Sequence, residues 1–552
     1  MHIQALVSAD GILPVISSKL QLLFINLASV PGRQLVNSPT AAILGRCASW
    51  QGRQLKVQTK HIKTEMKKLF ILFFVLPNFI LAQHQTTDSL DAFIAKQVIN
   101  YKIPGLAIGI IRDNQIIFKK GYGVNSTIDS LPVTTQTIFP ILSCTKAFTA
   151  AAIGILVDEG KINWNDKVIK YLPNFKLSDS WITKELTIAD ILSHRSGLES
   201  FEGDLLWYGT NYSRQEIVRR IQYSPIRNNF RTDYGYQNVM YLVAGLIIEK
   251  ITGQTWDSFI KDRLFIPLAM TSSSTSIIQI IKSRNYAHPH LKNEPIPLMN
   301  MDNIGPAGSI NSTIDDMLIW MKMWIDAGVY NENKIISKNI FQTITSPKIM
   351  LSEKSTKSYG FGWNIGIDNG KKVIGHGGGM PGFKSTVSIS LDDRTGIVIL
   401  SNKISYFNDE LIGIISEYLD SKQINWEQAD KNLYFKNFNF DWDKEPDASS
   451  QFKSYIPNLS LYEGQYEDKA YGKAVIRKEN GEAVLELLPT KKLLSGRLYY
   501  VSNDTLKIIF KDAFIPAGEI VFERGADKKV KNFKLNISSS DFHFKYLNFK
   551  KN

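Results

Sequence analysis

Ser143 and Lys146 stand three residues apart at the start of an apolar, helix-patterned stretch of this 552-residue chain. That spacing puts the hydroxyl and the amine on one helical face, and the helix N-terminus adds positive partial charge beside the hydroxyl. A serine becomes a useful nucleophile when a base takes its proton. A lysine can be that base if burial and neighbouring positive charge lower its pKa. Ser258 with Lys261 and Ser450 with Lys453 repeat the spacing as ordinary surface pairs, so the pattern alone is weak.

Two further groups have the right chemistry. Tyr236, Gln237 and Asn238 precede an apolar helical run. A phenol there can shuttle a proton to and from a serine oxygen if a lysine lowers its pKa, and the amide of Asn238 can fix substrate or the lysine. A core tyrosine beside a capping asparagine explains the same residues without chemistry. His376 opens a glycine-dense stretch, Gly375 to Phe383, at the predicted end of a strand. Gly377, Gly378 and Gly379 would let substrate lie against the strand edge, and one of their N–H groups could complete an oxyanion hole. A phosphate-binding reading fails because no P-loop lysine and Ser/Thr follow. His288 and His290 flank Pro289 without carboxylate or cysteine company, so no metal site is expected there.

These groups need a frame. Residues 89–101 read as an amphipathic helix with Ser89 as N-cap. Gly105 to Gly123 reads as a hairpin turning at Asp113 and Asn114, and Ser143 to Gly160 as a helix. Helical and irregular segments fill the chain to about residue 345. Strand signals return at Gly360 to Ile367, Lys372 to Gly375, Thr386 to Ser390 and Ile397 to Ser401, followed by a helix from Asn408 to Leu419. Strands at both ends of a helix-rich middle predict an α+β domain whose sheet is assembled from distant segments. From Leu459 to Phe549, short alternating strands with Gly and Asn turns predict a small all-β barrel or sandwich.

The net charge of +13 is partly a leader effect. Met66 begins MKKLFILFFVLPNFILAQ, with Lys67 and Lys68 before an apolar stretch and Ala82 before Gln83, which reads as a secretory signal over 66–82. Residues 1–65 then read as an over-extended N-terminus. Without residues 1–82 the chain keeps 56 basic and 50 acidic residues, a mild surplus without basic clusters. That argues against a nucleic-acid partner. Cys144 is the one cysteine left, so no internal disulfide forms, and no lipid-bearing cysteine follows Ala82. The expected product is exported, without a stable membrane anchor. Its expected regions are 83–420, a linker over 421–455, and a barrel-like domain over 456–552.

The order Ser-x-x-Lys, Tyr-x-Asn, then a basic residue and glycine on a late strand resembles the serine β-lactamase and penicillin-binding protein superfamily. The branch is the one shared by class C β-lactamases, D-Ala-D-Ala carboxypeptidases of the same type, D-aminopeptidases and family VIII esterases. TIADILSHRSGL (Thr187 to Leu198), FIPLAMTSS (Phe265 to Ser273) and NIGPAGSINSTIDDM (Asn303 to Met317) also resemble that branch, and the likeness covers about residues 88–420. The resemblance implies an antiparallel sheet flanked by helices with a mostly helical subdomain, the active site lying between them. It implies acylation of Ser143 and hydrolysis of the resulting ester, without metal or cofactor. Lys146 would accept the proton working with Tyr236, Asn238 would position substrate, and His376, Gly377 and Gly378 would form the substrate-binding strand. The backbone N–H groups of Ser143 and Gly379 would form the oxyanion hole.

The third motif departs from the Lys-Thr-Gly usual in class C β-lactamases. A histidine of ordinary pKa is mostly neutral at pH 7, and the threonine hydroxyl is missing. Peptidase or esterase action on a small-molecule or peptide substrate is therefore expected over efficient penicillin hydrolysis. Two readings of other kinds stand beside it: a receptor on the same fold that binds or acylates without turnover, and a carbohydrate-binding role for Tyr462, Tyr466 and Tyr471.

Overall fold

The computed structural model describes residues 88–421, 424–434 and 455–552. The signal and leader readings, and most of the expected linker, lie outside them.

The frame is an eight-stranded antiparallel sheet built from both ends of the region 88–421. Helix α1 (88–100) leads into β1 (Gly105–Arg112) and β2 (Gln115–Gly123). Asp113 and Asn114 take φ of 48° and 62°, the paired left-handed conformation of a two-residue hairpin turn. The remaining strands are β3 (Ile349–Met350), β4 (Ser358–Tyr359), β5 (Asn364–Asp368), β6 (Lys371–Met380), β7 (Phe383–Ser390) and β8 (Thr395–Ser401). Their order is β2-β1-β8-β7-β6-β5-β4-β3. The first and last segments of the region therefore meet at β1 and β8, with Leu106 opposite Ser401 and Arg112 opposite Thr395.

β1 and β8 are apolar runs because both of their faces are covered. Leu106, Ile108, Ile110, Ile397 and Ile399 join the cluster under α1 and α5 (Phe407–Ser421). Ala107, Ile111, Val398 and Leu400 join the main core, which also holds Ile314, Met317 and Leu318 of α4 (Ile314–Ile325). In that core lie α2 (Thr145–Asp158) and α3 (Asn238–Thr252), apolar on almost every face, as fully enclosed helices are.

Several boundaries differ from those expected. Residue 88 is already helical, so Ser89 is not a cap. Gly360 to Trp363 turns instead of continuing a strand, with Gly362 at φ 74°. The glycine-dense stretch after His376 is itself strand, since β6 runs through Met380 on the pairing of β7. Within the expected linker, Trp426–Tyr434 forms helix α6. Its Trp426 ring packs 4.7 Å from Phe93 and 5.2 Å from Tyr418.

Residues 464–551 form a closed eight-stranded barrel, β9 (Gly464–Asp468) through β16 (Asn548–Lys551), sealed where Tyr466 faces Lys551. Tyr462, Tyr466 and Tyr471 are buried in it, which removes the exposed aromatic surface that a carbohydrate-binding reading needs. The barrel and the region that carries the large sheet form one compact unit. Tyr208 Oη donates to Asp512 at 2.8 Å, and Tyr212 Oη and Arg220 Nη1 donate to the carbonyls of Tyr471 and Ala470. Among the described residues no helix is long and apolar enough to cross a membrane.

Candidate active site

Ser143 sits in the single 3-10 turn Leu142–Cys144 that runs into α2. Leu142 takes φ 52°, in the left-handed region that costs a side-chain-bearing residue of order 1 kcal/mol and is held where the surroundings enforce it. Leu142 and Cys144 are buried on either side, so Ser143 alone of the three presents its hydroxyl to the cleft. The Cys144 Sγ faces the carbonyl of His376 at 3.2 Å, and burial pushes its thiol up to about 11, which makes it a packing group.

Lys146 is fully buried, its Nζ 3.0 Å from Ser143 Oγ, 2.7 Å from Asn238 Oδ1 and 3.0 Å from the carbonyl oxygen of Ala307. Burial pushes its pKa down to about 7, against the pull of Asp204 and Cys144. A neutral amine has two N–H donors and one lone pair. Asn238 Oδ1 and the Ala307 carbonyl take the two donors, which leaves the lone pair facing Ser143 Oγ. The serine hydroxyl can therefore donate to Nζ, as general-base activation requires.

The Tyr236 phenol hydrogen-bonds Ser143, while burial holds its pKa well above the ordinary tyrosine value. The Lys146 Nζ approaches the face of the ring at 4.7 Å, and burial leaves Tyr236 a neutral phenol. The turn holding it is built by the TIADILSHRSGL segment. Thr187 and Asp190 form a capping box, and buried Asp190 ties down Arg195 at 2.7 Å and Arg231 at 2.9 Å. His194, at φ 59°, accepts from the Gln237 N–H on Nδ1 at 3.0 Å. The NIGPAGSINSTIDDM segment supplies the Ala307 carbonyl, and its Pro306 carbonyl accepts from Thr149.

β6 forms the opposite wall. Its pairing with β5 ends at Asn364 and Gly375, whereas its pairing with β7 continues to Met380 and Phe383. Residues 376–380 therefore have an edge that β5 does not cover, beside Ser143. Gly378 lets the strand approach the Ser143 turn: a Cβ there would lie 2.5 Å from Ser385 Oγ, 2.6 Å from Leu142 Cβ and 2.8 Å from the Ile141 carbonyl oxygen. Gly377 and Gly379 line the cleft with Ser143. His376 also lines it, but its ring is engaged. Nδ1–H donates to the Gly377 carbonyl at 2.7 Å, and Nε2 accepts from Tyr359 Oη at 2.9 Å. Burial, with Lys146 nearby, pushes its pKa down to about 3, so the imidazole is neutral throughout the physiological range.

Three features were not found in the sequence. Asp204, fully buried, accepts from Asn238 Nδ2 at 2.7 Å and so turns Oδ1 toward Lys146; burial pushes its own pKa up to about 7. Lys384 brings an ammonium into the cleft from β7, where it pairs with Gly379 across the hairpin. Its Nζ lies 2.9 Å from Asp409 and would be 3.5 Å from a Cβ at Gly377. The barrel also reaches the cleft, contributing Phe514, Ser539, Asp541 and Phe542 to a space of about 510 Å³, within the size range of small-molecule sites. Of the other histidines, His290 is a fastening group, with Nδ1–H donating to the Asn402 carbonyl at 3.2 Å and Nε2 accepting from the Thr127 N–H.

A Ser-x-x-Lys turn, a Tyr-x-Asn turn and an open sheet edge around one cleft, on an antiparallel sheet flanked by helices, define a serine hydrolase fold of the β-lactamase and penicillin-binding protein type. The β-lactamase family model matches residues 90–410, and the chain belongs to that family. It is 30% identical over 397 residues to an unguisins hydrolase of Aspergillus campestris, covering 67% of this chain and 71% of the relative. It is 27% identical over 312 residues to penicillin-binding protein 4* of Bacillus subtilis, covering 52% of this chain and 66% of that one. The octameric penicillin-binding protein homologue from Pyrococcus abyssi shares the fold, with TM-score 0.55 and 22% identity over 84% of this chain and all of that one.

Proposed function

We propose that the protein is an exported serine hydrolase that cleaves an amide or ester bond through an acyl-enzyme on Ser143. The observation that carries this reading is the Lys146 amine, whose two donor directions are taken by Asn238 and Ala307 while the third faces Ser143 Oγ. The Ser143 proton passes to Nζ as Oγ attacks the substrate carbonyl, and the oxyanion is received by the N–H groups of Ser143 and Gly379. Tyr236, a neutral phenol at the serine oxygen, relays the proton to the leaving group. A water molecule then attacks the ester by the same path in reverse.

The walls of the cleft bear on the substrate class. A neutral His376 gives no charge to a substrate carboxylate, whereas Lys384 places an ammonium by the same strand edge. Lys384 can meet a carboxylate on a peptide or a β-lactam alike, so the preference for D-amino-acid peptides of cell-wall type and small esters over β-lactams rests on Gly377, which lacks the hydroxyl of the Lys-Thr-Gly motif. One relative is named a hydrolase and another a penicillin-binding protein, which accords with a serine hydrolase of this family.

The test is turnover of p-nitrophenyl acetate, a D-alanyl dipeptide and nitrocefin, with intact-mass detection of the acyl adduct during each reaction. A transient adduct and turnover of ester or peptide faster than nitrocefin support the reading. An adduct that never clears on any substrate would make the protein a receptor. Intact mass of the protein collected outside the cell checks export, with a mature N-terminus at Gln83 expected.

A further inference from the structure

Away from Ser143, the seam between the hydrolase region and the barrel gathers Glu199, Glu202 and His543. One ligand atom of each lies within 4.8 Å of the others. Each side chain is held so that a lone pair remains. Tyr546 Oη donates to Glu199 Oε2 at 2.8 Å, which leaves Oε1. His543 Nε2–H donates to the Ser200 carbonyl at 2.7 Å, which leaves the lone pair of Nδ1. Glu202 takes a hydrogen bond from Ser224, yet its Oε2 is buried without a partner, in a residue only 6% exposed.

An unpartnered buried carboxylate oxygen is expensive, and a second carboxylate beside it compounds the cost. The Arg227 guanidinium beside the cluster lies 3.9 Å over the Tyr546 ring. A space of about 40 Å³ lined by Glu202, Ser224, Tyr471, His543 and Tyr546 adjoins the cluster, enough for one ion and a water molecule.

We propose that Glu199, Glu202 and His543 form a divalent-cation site that fastens the barrel to the hydrolase region. Ligands at ~2.0–2.2 Å from a first-row cation sit ~3–4 Å from one another, so small side-chain shifts close the site. An imidazole with two carboxylates suits Zn²⁺ or Mn²⁺ better than the all-oxygen preference of Ca²⁺. The carbonyl behind His543 and the phenol behind Glu199 are the outer partners that orient such ligands.

The site bears on catalysis through the loop that carries it. Ser200 Oγ accepts from the Tyr236 N–H at 2.9 Å, the Phe201 N–H donates to the Tyr236 carbonyl at 2.7 Å, and Gln237 Nε2 donates to the Glu199 carbonyl. A cation held by Glu199, Glu202 and the barrel's His543 would pin the loop on which Tyr236 rests.

The experiment is calorimetric titration of Zn²⁺ into the tag-free full chain after chelator treatment and desalting, with thermal unfolding recorded alongside. One equivalent of saturable binding and a raised unfolding temperature are expected. Glu202→Gln and His543→Gln should each weaken binding at least ~100-fold, and Tyr546→Phe by ~10–100-fold. Unfolding of the metal-free variants confirms that each is folded, and a variant that is not leaves the other to decide. Absence of stoichiometric Zn²⁺ binding would overturn the proposal in favour of a shared proton in the carboxyl pair. Zn²⁺ affinity unchanged in both variants, or Ca²⁺ bound as tightly as Zn²⁺ regardless of His543, would also overturn it.

Discussion

Replacing Asp204 with Asn should move the pH dependence of the reaction without dismantling the site. Asp204 reaches Lys146 through Asn238 by two hydrogen bonds of 2.7 Å in series. An asparagine oxygen can accept the same bond from Asn238, so the change removes charge while keeping shape. A carboxylate ~7 Å from an amine at an effective dielectric of ~20 interacts by ~2.4 kcal/mol, or ~1.7 pK units. Asp204 is itself pushed up to about 7, so near neutral pH only part of that charge is present and a shift of ~1 unit is expected. The sign follows from the charge: Asp204 raises the Lys146 pKa, so its loss lowers it. Lys146 must be neutral to accept the serine proton. The acid limb of kcat/KM, close to pH 7 in the native enzyme, should therefore move about one unit toward acid in Asp204→Asn. The assay is hydrolysis of a p-nitrophenyl ester from pH 5 to 9 with native and variant proteins side by side. A limb that stays in place, or moves toward alkali, would refute the assignment of that limb to Lys146.

Lys146→Ala and Tyr236→Phe should each lower the acylation rate by at least ~10²-fold, measured by single-turnover mixing with an ester, while thermal unfolding stays cooperative. Gly378→Ala should destabilise by ~1–3 kcal/mol and reduce acylation, because its Cβ would press on Ser385, Leu142 and Ile141; denaturant unfolding gives the first quantity and labelling rate the second. Lys384→Met should lower kcat/KM for a substrate bearing a carboxylate near the scissile bond while sparing a neutral ester, and Lys384→Arg should restore much of the difference. Across pH 5.5–8.5 that carboxylate-to-ester ratio should show no inflection from His376, whose pKa lies near 3 in the native protein.

Ser143 and Lys146 were legible as a pair because their relation is local: three residues on one helix turn carry the geometry with them. Tyr236 and Asn238 were legible through their order along the chain. Asp204 was not, since it acts only through Asn238, 34 residues away, and nothing in its surroundings in sequence marks it. Lys384 was within reach of the hairpin pattern. Once Met380 and Phe383 close a turn, Gly379 must face Lys384, but the strand was ended too early to see this. Glycines disfavour strand in isolation, and pairing with β7 overrides that preference. The same holds for α6, where Trp426, Ala429 and Leu433 follow a helical stripe inside a polar segment. His376 shows the reverse error. Its type suggested a titrating group, but burial between Tyr359 and the Gly377 carbonyl removes the titration, and no sequence pattern reports burial.

The central claim is that Ser143 is acylated with Lys146 as its base. The most direct measurement is reaction of the protein with a fluorophosphonate, followed by mass spectrometric mapping of the modified peptide. One adduct on Ser143, absent in Ser143→Ala and slowed at least ~10²-fold in Lys146→Ala, is the predicted result. An adduct on another residue, or labelling that persists in Ser143→Ala, would contradict it.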